Sequence, residues 1–309
     1  MNKTSIQEIK KNNIRWINVN RITEWEIKYL ENRFHFHILH LNDCLSLSQK
    51  PKIEKYQDYI FMAMIFPIYH NKQRKIIPTE VDFFIGKDFL VTVHRNELIP
   101  LINFFNLCKI DSSQAEKYIS NSPIHLVYAI LKNIADYCLP ILDTLNSNIS
   151  NIEENIIKGY EKNMVKEILV VKRNIISFRQ ITQSYRLIIS RLIKICEEFF
   201  SLNSLKIYLQ ELLETTEEIW FALENLSQCI ETIETTNNSL ISFRLNEIIK
   251  ILTIISVIFL PLTLLSSLFA MEVPNLPFSK NPYGFSIILS IMAGVSLLMI
   301  IVFKKKKWF

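Results

Sequence analysis

Two stretches near the end of the chain hold no charged side chain. Ile251 to Met271, ILTIISVIFLPLTLLSSLFAM, is 21 residues of almost unbroken apolar character, and Tyr283 to Phe303 is a second run of 21. At 1.5 Å per residue, a helix of this length covers a hydrocarbon core of about 30 Å. The segment between them carries Pro274, Pro277 and Pro282, which cannot continue a helix and suit a tight turn outside the membrane. Buried core helices are the competing reading. Uncharged runs of this length point instead to two transmembrane helices.

Upstream, from Ile141 to Leu260, there is no proline and a single glycine, Gly159, which predicts a long all-helical region. Apolar residues at Leu205, Leu209, Leu212, Ile219, Leu223, Leu226, Ile230, Ile233 and Leu240 step mostly by four and three, the pattern of a packed helical seam. Nothing interrupts this stretch before the first apolar run. It predicts one helix of about 65 residues, about 100 Å long, that enters the bilayer as the first span. Such a helix can carry a cytoplasmic event to the membrane.

The first 110 or so residues alternate differently and predict mixed α/β structure. Ile14–Val19 reads as a strand and Thr23–Asn32 as a short helix capped by Thr23. Tyr59–Tyr69 reads as a buried strand. Val81–Ile85 and Phe89–Val93 flank the turn Gly86-Lys87-Asp88 as a hairpin. The predicted architecture is a mostly α chain in six parts. An α/β cytoplasmic domain (1–122) precedes a long-helix stalk and coiled bundle (123–250). Then come a first transmembrane helix (251–271), an extracytoplasmic loop (272–282), a second transmembrane helix (283–303) and a basic tail (304–309).

Charge fixes the expected orientation. Lys304 to Lys307 follow the second run, and Arg244 and Lys250 precede the first, whereas the connecting loop has only Lys280. Positive residues stay on the cytoplasmic side, so both termini are expected there. The formal charge of +5 contains those four lysines, and the remainder shows no basic face, which argues against a nucleic-acid partner. The polar start Met1–Ser5 does not resemble a signal peptide. Five scattered cysteines form neither a disulfide framework nor a zinc-ligand pair and fit a reducing compartment.

No phosphate loop, H-E-x-x-H or G-x-S-x-G motif is present, and with two apolar spans the expectation is a protein that is not an enzyme and has no resident cofactor. His35, His37 and His40 are the best metal-like group, but their spacing and the lack of a cysteine partner favour ordinary packing. Glu214, Glu217, Glu218, Glu231 and Glu234 read as solvated helix faces, with a regulatory cation site as the alternative. The first span is more informative. Asn246, Ile249, Thr253, Ser256, Leu260, Thr263 and Ser267 recur every three or four residues and share one face. A stripe of small hydroxyls serves helix packing or, in several copies about an axis, a pore.

These residues resemble the CorA family of magnesium channels over nearly the whole chain. Asn246-Glu247-x-x-Lys250-x-Leu252-Thr253, followed by Leu260-Pro261-Leu262-Thr263, is similar to that family's pore helix. Phe303-Lys304-Lys305-Lys306-Lys307-Trp308 is similar to its basic C-terminal cap. Pro51-Lys52-Ile53-Glu54-x-Tyr56 and Leu90-Val91-Thr92-Val93-His94 add resemblance in the N-terminal region. The resemblance implies a funnel-shaped homopentamer in a lipid bilayer, with the first span of each subunit lining the pore. It places Asn246, Leu252, Leu260 and Thr263 along that pore, with Leu252 and Leu260 as apolar constrictions, and the shared face adds Ser256 and Ser267 as pore-lining candidates. It also implies Mg²⁺ as the transported ion, with Co²⁺, and as a regulatory ion. Ungapped spacing from Asn246 sets Glu211 where the family has an acidic residue in an intersubunit cation site. Glu80 and Asp82 are candidates for its partner.

One triplet departs from the family. Gly-Met-Asn at the outer mouth is replaced by Ala270-Met271-Glu272. A ring of neutral amides suits an ion that keeps its water, whereas a ring of carboxylates concentrates cations and raises some of its own pKa values. A divalent cation is therefore expected, and three readings stand: a Mg²⁺/Co²⁺ channel, a zinc transporter of the same fold with possible proton coupling, and a non-transporting membrane scaffold.

Overall fold

The computed structural model describes residues 5–45, 50–119, 122–200, 205–271 and 283–306. Six strands form one sheet in the order β1-β2-β6-β5-β4-β3: β1 Ile6–Lys11, β2 Ile14–Val19, β3 Lys52–Lys55, β4 Tyr59–His70, β5 Lys75–Gly86 and β6 Phe89–His94. All neighbours are antiparallel except β2 and β6. The strand, helix and hairpin expected from the sequence are present. β5 is much longer than its predicted core because Lys75–Glu80 pairs with β4 as well.

Each strand sends alternate side chains to opposite faces. Ile17, Val19, Phe61, Ala63, Phe84, Val91 and Val93 cluster with Ile27 and Leu30 of α1 (Glu24–Phe34) and with Leu41 of α2 (Ile38–Asp43). Trp16, one residue from Ile17, points to the other face and meets Phe104 and Phe105 of α3 (Ile99–Ile110), with ring centroids 5.8 and 4.8 Å away. Thr23 starts α1 with a capping box, its side chain bonded to the first turn while Glu26 reaches back to the Thr23 N–H at 2.8 Å.

The helical part consists of α4 Ser112–Ile119, α5 Pro123–Ile157, α6 Glu161–Thr182, α7 Tyr185–Phe200, α8 Leu205–Ala270 and α9 Gly284–Lys305. α5 begins at Pro123 and runs through Pro140, the first compact unit continues to Glu234, and a second comprises 235–309. α6 and α7 are tied to the sheet by polar contacts. The Asn174 amide oxygen accepts from Ile76 N–H at 3.1 Å, and the Tyr185 hydroxyl donates to Ile65 O at 2.8 Å. The expected seam of α8 is buried at Leu209, Leu212, Ile219, Leu223, Leu226 and Ile230, each worth about 2 kcal/mol of apolar burial. Two of the glutamates expected as solvated instead make ion pairs, Glu217 with Arg186 at 3.0 Å and Glu234 with Lys172 at 2.6 Å.

Inside the sheet a polar chain is fully connected. Trp16 Nε1 donates to Thr92 Oγ1 at 3.1 Å, and Thr92 donates to Asn18 Oδ1 at 2.8 Å. His94 Nε2 lies 3.0 Å from the same oxygen, while its Nδ1 accepts from Asn96 N–H. The proton therefore sits on Nε2 and the ring is neutral. Burial lowers the His94 pKa to about 4. On the other face, Asp82 is buried and its Oδ1 has no hydrogen-bond partner. Desolvation, then the Glu80 charge, pushes its pKa up to about 8.

These two groups give opposite pH dependences. Between pH 6.5 and 4 the unfolded chain takes the His94 proton and the folded one does not, so stability falls by about 3 kcal/mol as pH drops through that window. Between pH 3.8 and 8 the folded chain keeps the Asp82 proton more tightly, so stability falls as pH rises. Thermal midpoints measured across pH should show Asp82→Asn removing the loss on the alkaline side and His94→Gln flattening the acid side, though the glutamine lowers the whole curve.

Candidate functional site

Two helices, in α8 and α9, are long and apolar enough to cross a membrane by length and composition. Over residues 251–270 the side chains of α8 divide into two faces. Ile254 is buried, and Ile258, Pro261, Leu262, Leu265 and Phe269 are partly covered. At about 100° per residue, Ile249, Leu252, Thr253, Ser256, Leu260, Thr263 and Ser267 lie roughly half a turn away. All of them are exposed, Leu252 at 62% and Leu260 at 72%. Asn246 is exposed on the flank of the same face.

The hydroxyl protons on this face are already committed. Thr253 donates to Ile249 O at 2.8 Å, Ser256 to Leu252 O at 2.9 Å, Thr263 to Phe259 O at 2.6 Å, and Ser267 to Thr263 O at 2.8 Å. A hydroxyl whose proton bonds back to its own helix turns lone pairs outward. The face is thus a line of acceptors separated by Leu252 and Leu260. Pro261 lacks the N–H that would bond the Val257 carbonyl, a further local acceptor. Ala270 and Met271 end α8 and are exposed. Glu272, Lys280 and the rest of the connecting loop lie outside the described residues.

Glu211 lies on α8 within the first unit. Its carboxylate accepts from the Tyr128 hydroxyl at 2.9 Å and stands 3.2 Å from Lys132 Nζ. The Tyr128 bond, then Lys132, holds the Glu211 pKa below the usual range. Desolvation, then Glu211, pushes Tyr128 up to about 12. Lys132 also approaches Thr215 Oγ1 at 3.4 Å and Asp136 at 3.9 Å. Sequence reasoning missed Lys132 and Tyr128, whose only local signal was the i,i+4 pair Lys132–Asp136. Asp82 and Glu80 sit on β5, with Asp82 beneath α2 and hydrogen-bonded to Cys44. Among the described residues, no three His, Cys, Asp or Glu side chains are arranged to hold a metal ion. A cation at Glu211 therefore needs ligands beyond one protomer or beyond side-chain acids.

The three histidines have local tasks. His35 ends α1 in the left-handed region at φ 55°, and His37 Nδ1 caps α2 by accepting from Leu39 N–H. His40 is buried, stacked on Phe61 at 4.1 Å, with Nε2 3.1 Å from Glu54.

Known proteins match this arrangement along most of the chain. The cobalt/magnesium transport protein CorA of Thermotoga maritima is 23% identical over 300 residues, 95% of this chain and 83% of its own. CorA of Methanocaldococcus jannaschii is 22% identical, covering 95% of this chain and 90% of its own. The complete structure of the magnesium transporter from that organism superposes with a TM-score of 0.84 at 18% identity, over 97% of this chain and 93% of that one. The family model described as CorA-like Mg²⁺ transporter protein matches residues 11–305, and the chain belongs to that family.

Proposed function

We propose that this chain is one subunit of a homopentameric channel that moves divalent cations, Mg²⁺ and with it Co²⁺, across the cell membrane. The observation that carries the reading is the acceptor face of α8. Mg²⁺ sheds its water reluctantly, and the waters around it turn their hydrogens outward. Lone pairs on Thr253, Ser256, Thr263 and Ser267, repeated around an axis, meet those hydrogens without stripping the ion. Asn246 adds an amide at the inner end. Rings of Leu252 and Leu260 supply apolar constrictions that close by losing water.

Lys304 to Lys307, at and beyond the end of the second apolar run, with Arg244 and Lys250 before the first span, support cytoplasmic termini. The outer mouth is then formed by Ala270, Met271 and Glu272. The carboxylate of Glu272 is the one feature that favours the zinc reading, with or without proton coupling. Regulation by cytoplasmic Mg²⁺ is assigned to Glu211; of the two candidate partners Glu80 is retained, whereas Asp82 is buried and holds its proton, which disfavours it as a ligand. A divalent ion arriving at Glu211 has to displace the Lys132 ammonium, so Lys132 sets the concentration at which that site fills.

Uptake into vesicles containing the purified protein tests the reading. Mg²⁺ and Co²⁺ should enter faster than into empty vesicles, and Thr263→Val should slow them several-fold without changing assembly mass. Entry of Zn²⁺ alone would favour the zinc transporter. No entry of any divalent ion, or a monomer or dimer as the sole species in detergent, would leave the scaffold.

In the same vesicles, inhibition by internal Mg²⁺ should weaken in Glu211→Ala. It should set in at a lower concentration in Lys132→Met, by up to about fivefold, the scale of an exposed ion pair. Identical inhibition curves for parent and both variants would remove this pair from regulation.

At the mouth, acidifying the outside should protonate Glu272 and reduce flux at low substrate. Glu272→Gln should lower apparent affinity and flatten that pH response. A variant that keeps both would place the carboxylate away from the ion.

A further inference from the structure

The sheet contains a feature that the transport reading does not use. β2 and β6 are adjacent and parallel, with Arg15 to Val19 in register with Phe89 to Val93. The chain leaves β2 for α1, whose Ile27 and Leu30 pack on the Ile17 face. It leaves β6 for α3, whose Phe104 and Phe105 pack against Trp16 on the opposite face. Neighbouring parallel strands whose connections depart to opposite faces open a crevice outside their carboxyl ends, and open α/β sheets characteristically bind ligands there. In this chain the crevice is a cleft of about 500 Å³ lined by Asn20, Arg21, Ile22, Leu45, Arg95 and Asn96. That volume is within the range of small-molecule sites.

We propose that this cleft binds a small phosphate-bearing anion of mononucleotide size. Among the described residues, both charged groups in its lining are arginines, and they come from two different loops, so their guanidinium groups can converge on one anion. The guanidinium fork matches phosphate oxygens in pairs. Arg21 enters no ion pair among the described residues, and Arg95 uses one nitrogen on Leu45 O at 3.3 Å, leaving its other donors. Asn20 and Asn96 add amide groups for a polar ring or sugar, and Ile22 and Leu45 give an apolar wall. The acid on the same loop, Glu97, accepts from Thr79 Oγ1 at 3.2 Å.

Both loops are held in place before any ligand arrives. Asn20 N–H donates to Ser5 O at 3.0 Å, and Thr23 fixes the start of α1. Asn96 is at φ 60°, and its N–H donates to the buried His94 ring. A cleft framed this way loses little freedom on binding, which favours affinity.

Equilibrium dialysis of the full-length protein in detergent with radiolabelled AMP, in buffer containing EDTA so that metal transport is not the readout, tests the site. One saturable AMP site per chain is expected, displaced by inorganic phosphate and not by adenosine. Arg21→Gln and Arg95→Gln should each weaken it about tenfold, the scale of a hydrogen bond to a charged group, while Arg191→Gln leaves it unchanged. Among the described residues the Arg21 side chain makes no hydrogen bond or ion pair, so its variant reads the site even if Arg95→Gln shifts the thermal midpoint. No saturable binding, equal binding of adenosine, or full binding by Arg21→Gln would overturn the proposal. None of these outcomes depends on whether the protein transports a divalent ion.

Discussion

A helix that crosses hydrocarbon has to satisfy its hydrogen bonds within itself, because no water is available to do so. In α8 this requirement extends from the backbone to the side chains. Thr253, Ser256, Thr263 and Ser267 each return a proton to a carbonyl one turn back. A free hydroxyl donor in an apolar medium costs on the order of a few kcal/mol, so local bonding is what lets these residues sit in an Ile- and Leu-rich helix at all. In α9, Ser290 and Ser296 do the same with Ser286 O and Met292 O. At these positions polarity is thereby reduced to acceptors, and the character of the exposed α8 face follows from that reduction.

The first unit solves the same problem in the opposite way. Several of its buried polar groups find partners far along the chain: Trp16 with Thr92, Asn18 with His94, Asn174 with Ile76, Tyr185 with Ile65. Each such bond forms only when separate elements are in register, so it specifies the fold as well as satisfying a group. Asp82 departs from this pattern, as does the buried Ser184 hydroxyl, which has no partner among the described residues. The buried Asp82 carboxyl has one oxygen without a partner, and the Glu80 charge stands nearby, so it is tolerated only by holding its proton. The two units thus differ in what their polar residues do. In one they join elements, and in the other they leave each helix self-sufficient.

The contrast explains what the sequence made legible. Local rules carried the reading where satisfaction is local. The α8 helix was visible from Leu205 onward because no breaker interrupts its seam, and Thr23 announced α1 because a capping box is a four-residue signal. Edge strands were missed: β1, Ile-Gln-Glu-Ile-Lys-Lys, and β3, Lys-Ile-Glu-Lys, are too polar to show alternation. β4 was read almost to its end despite Pro67, but the first half of β5 was hidden by Pro78, which pairs with Pro67. The two prolines face each other where each strand has a neighbour on one side only, which is where a sheet tolerates proline. At the candidate regulatory residue, Glu211 could be placed by spacing, but its partner Tyr128 is 83 residues away and no pattern in the chain links them.

A face of oxygens whose protons are committed has little to gain from lipid, since acyl chains donate nothing to a lone pair. It has equally little to gain from an identical face, because acceptors do not bond acceptors. That argues against direct helix-to-helix packing through the hydroxyl stripe, the reading that composition alone left open. Packing through the stripe would also have to bury Leu260, which is 72% exposed. What an acceptor face does favour is a layer of donors, and water ordered around a divalent cation is such a layer. Copies of α8 set around an aqueous axis therefore satisfy the stripe, while the partly covered side at Ile254, Ile258 and Leu265 remains for contact within the protomer. The committed protons thus weigh against packing and for a wet axis, and they do so from the side chains of a single helix.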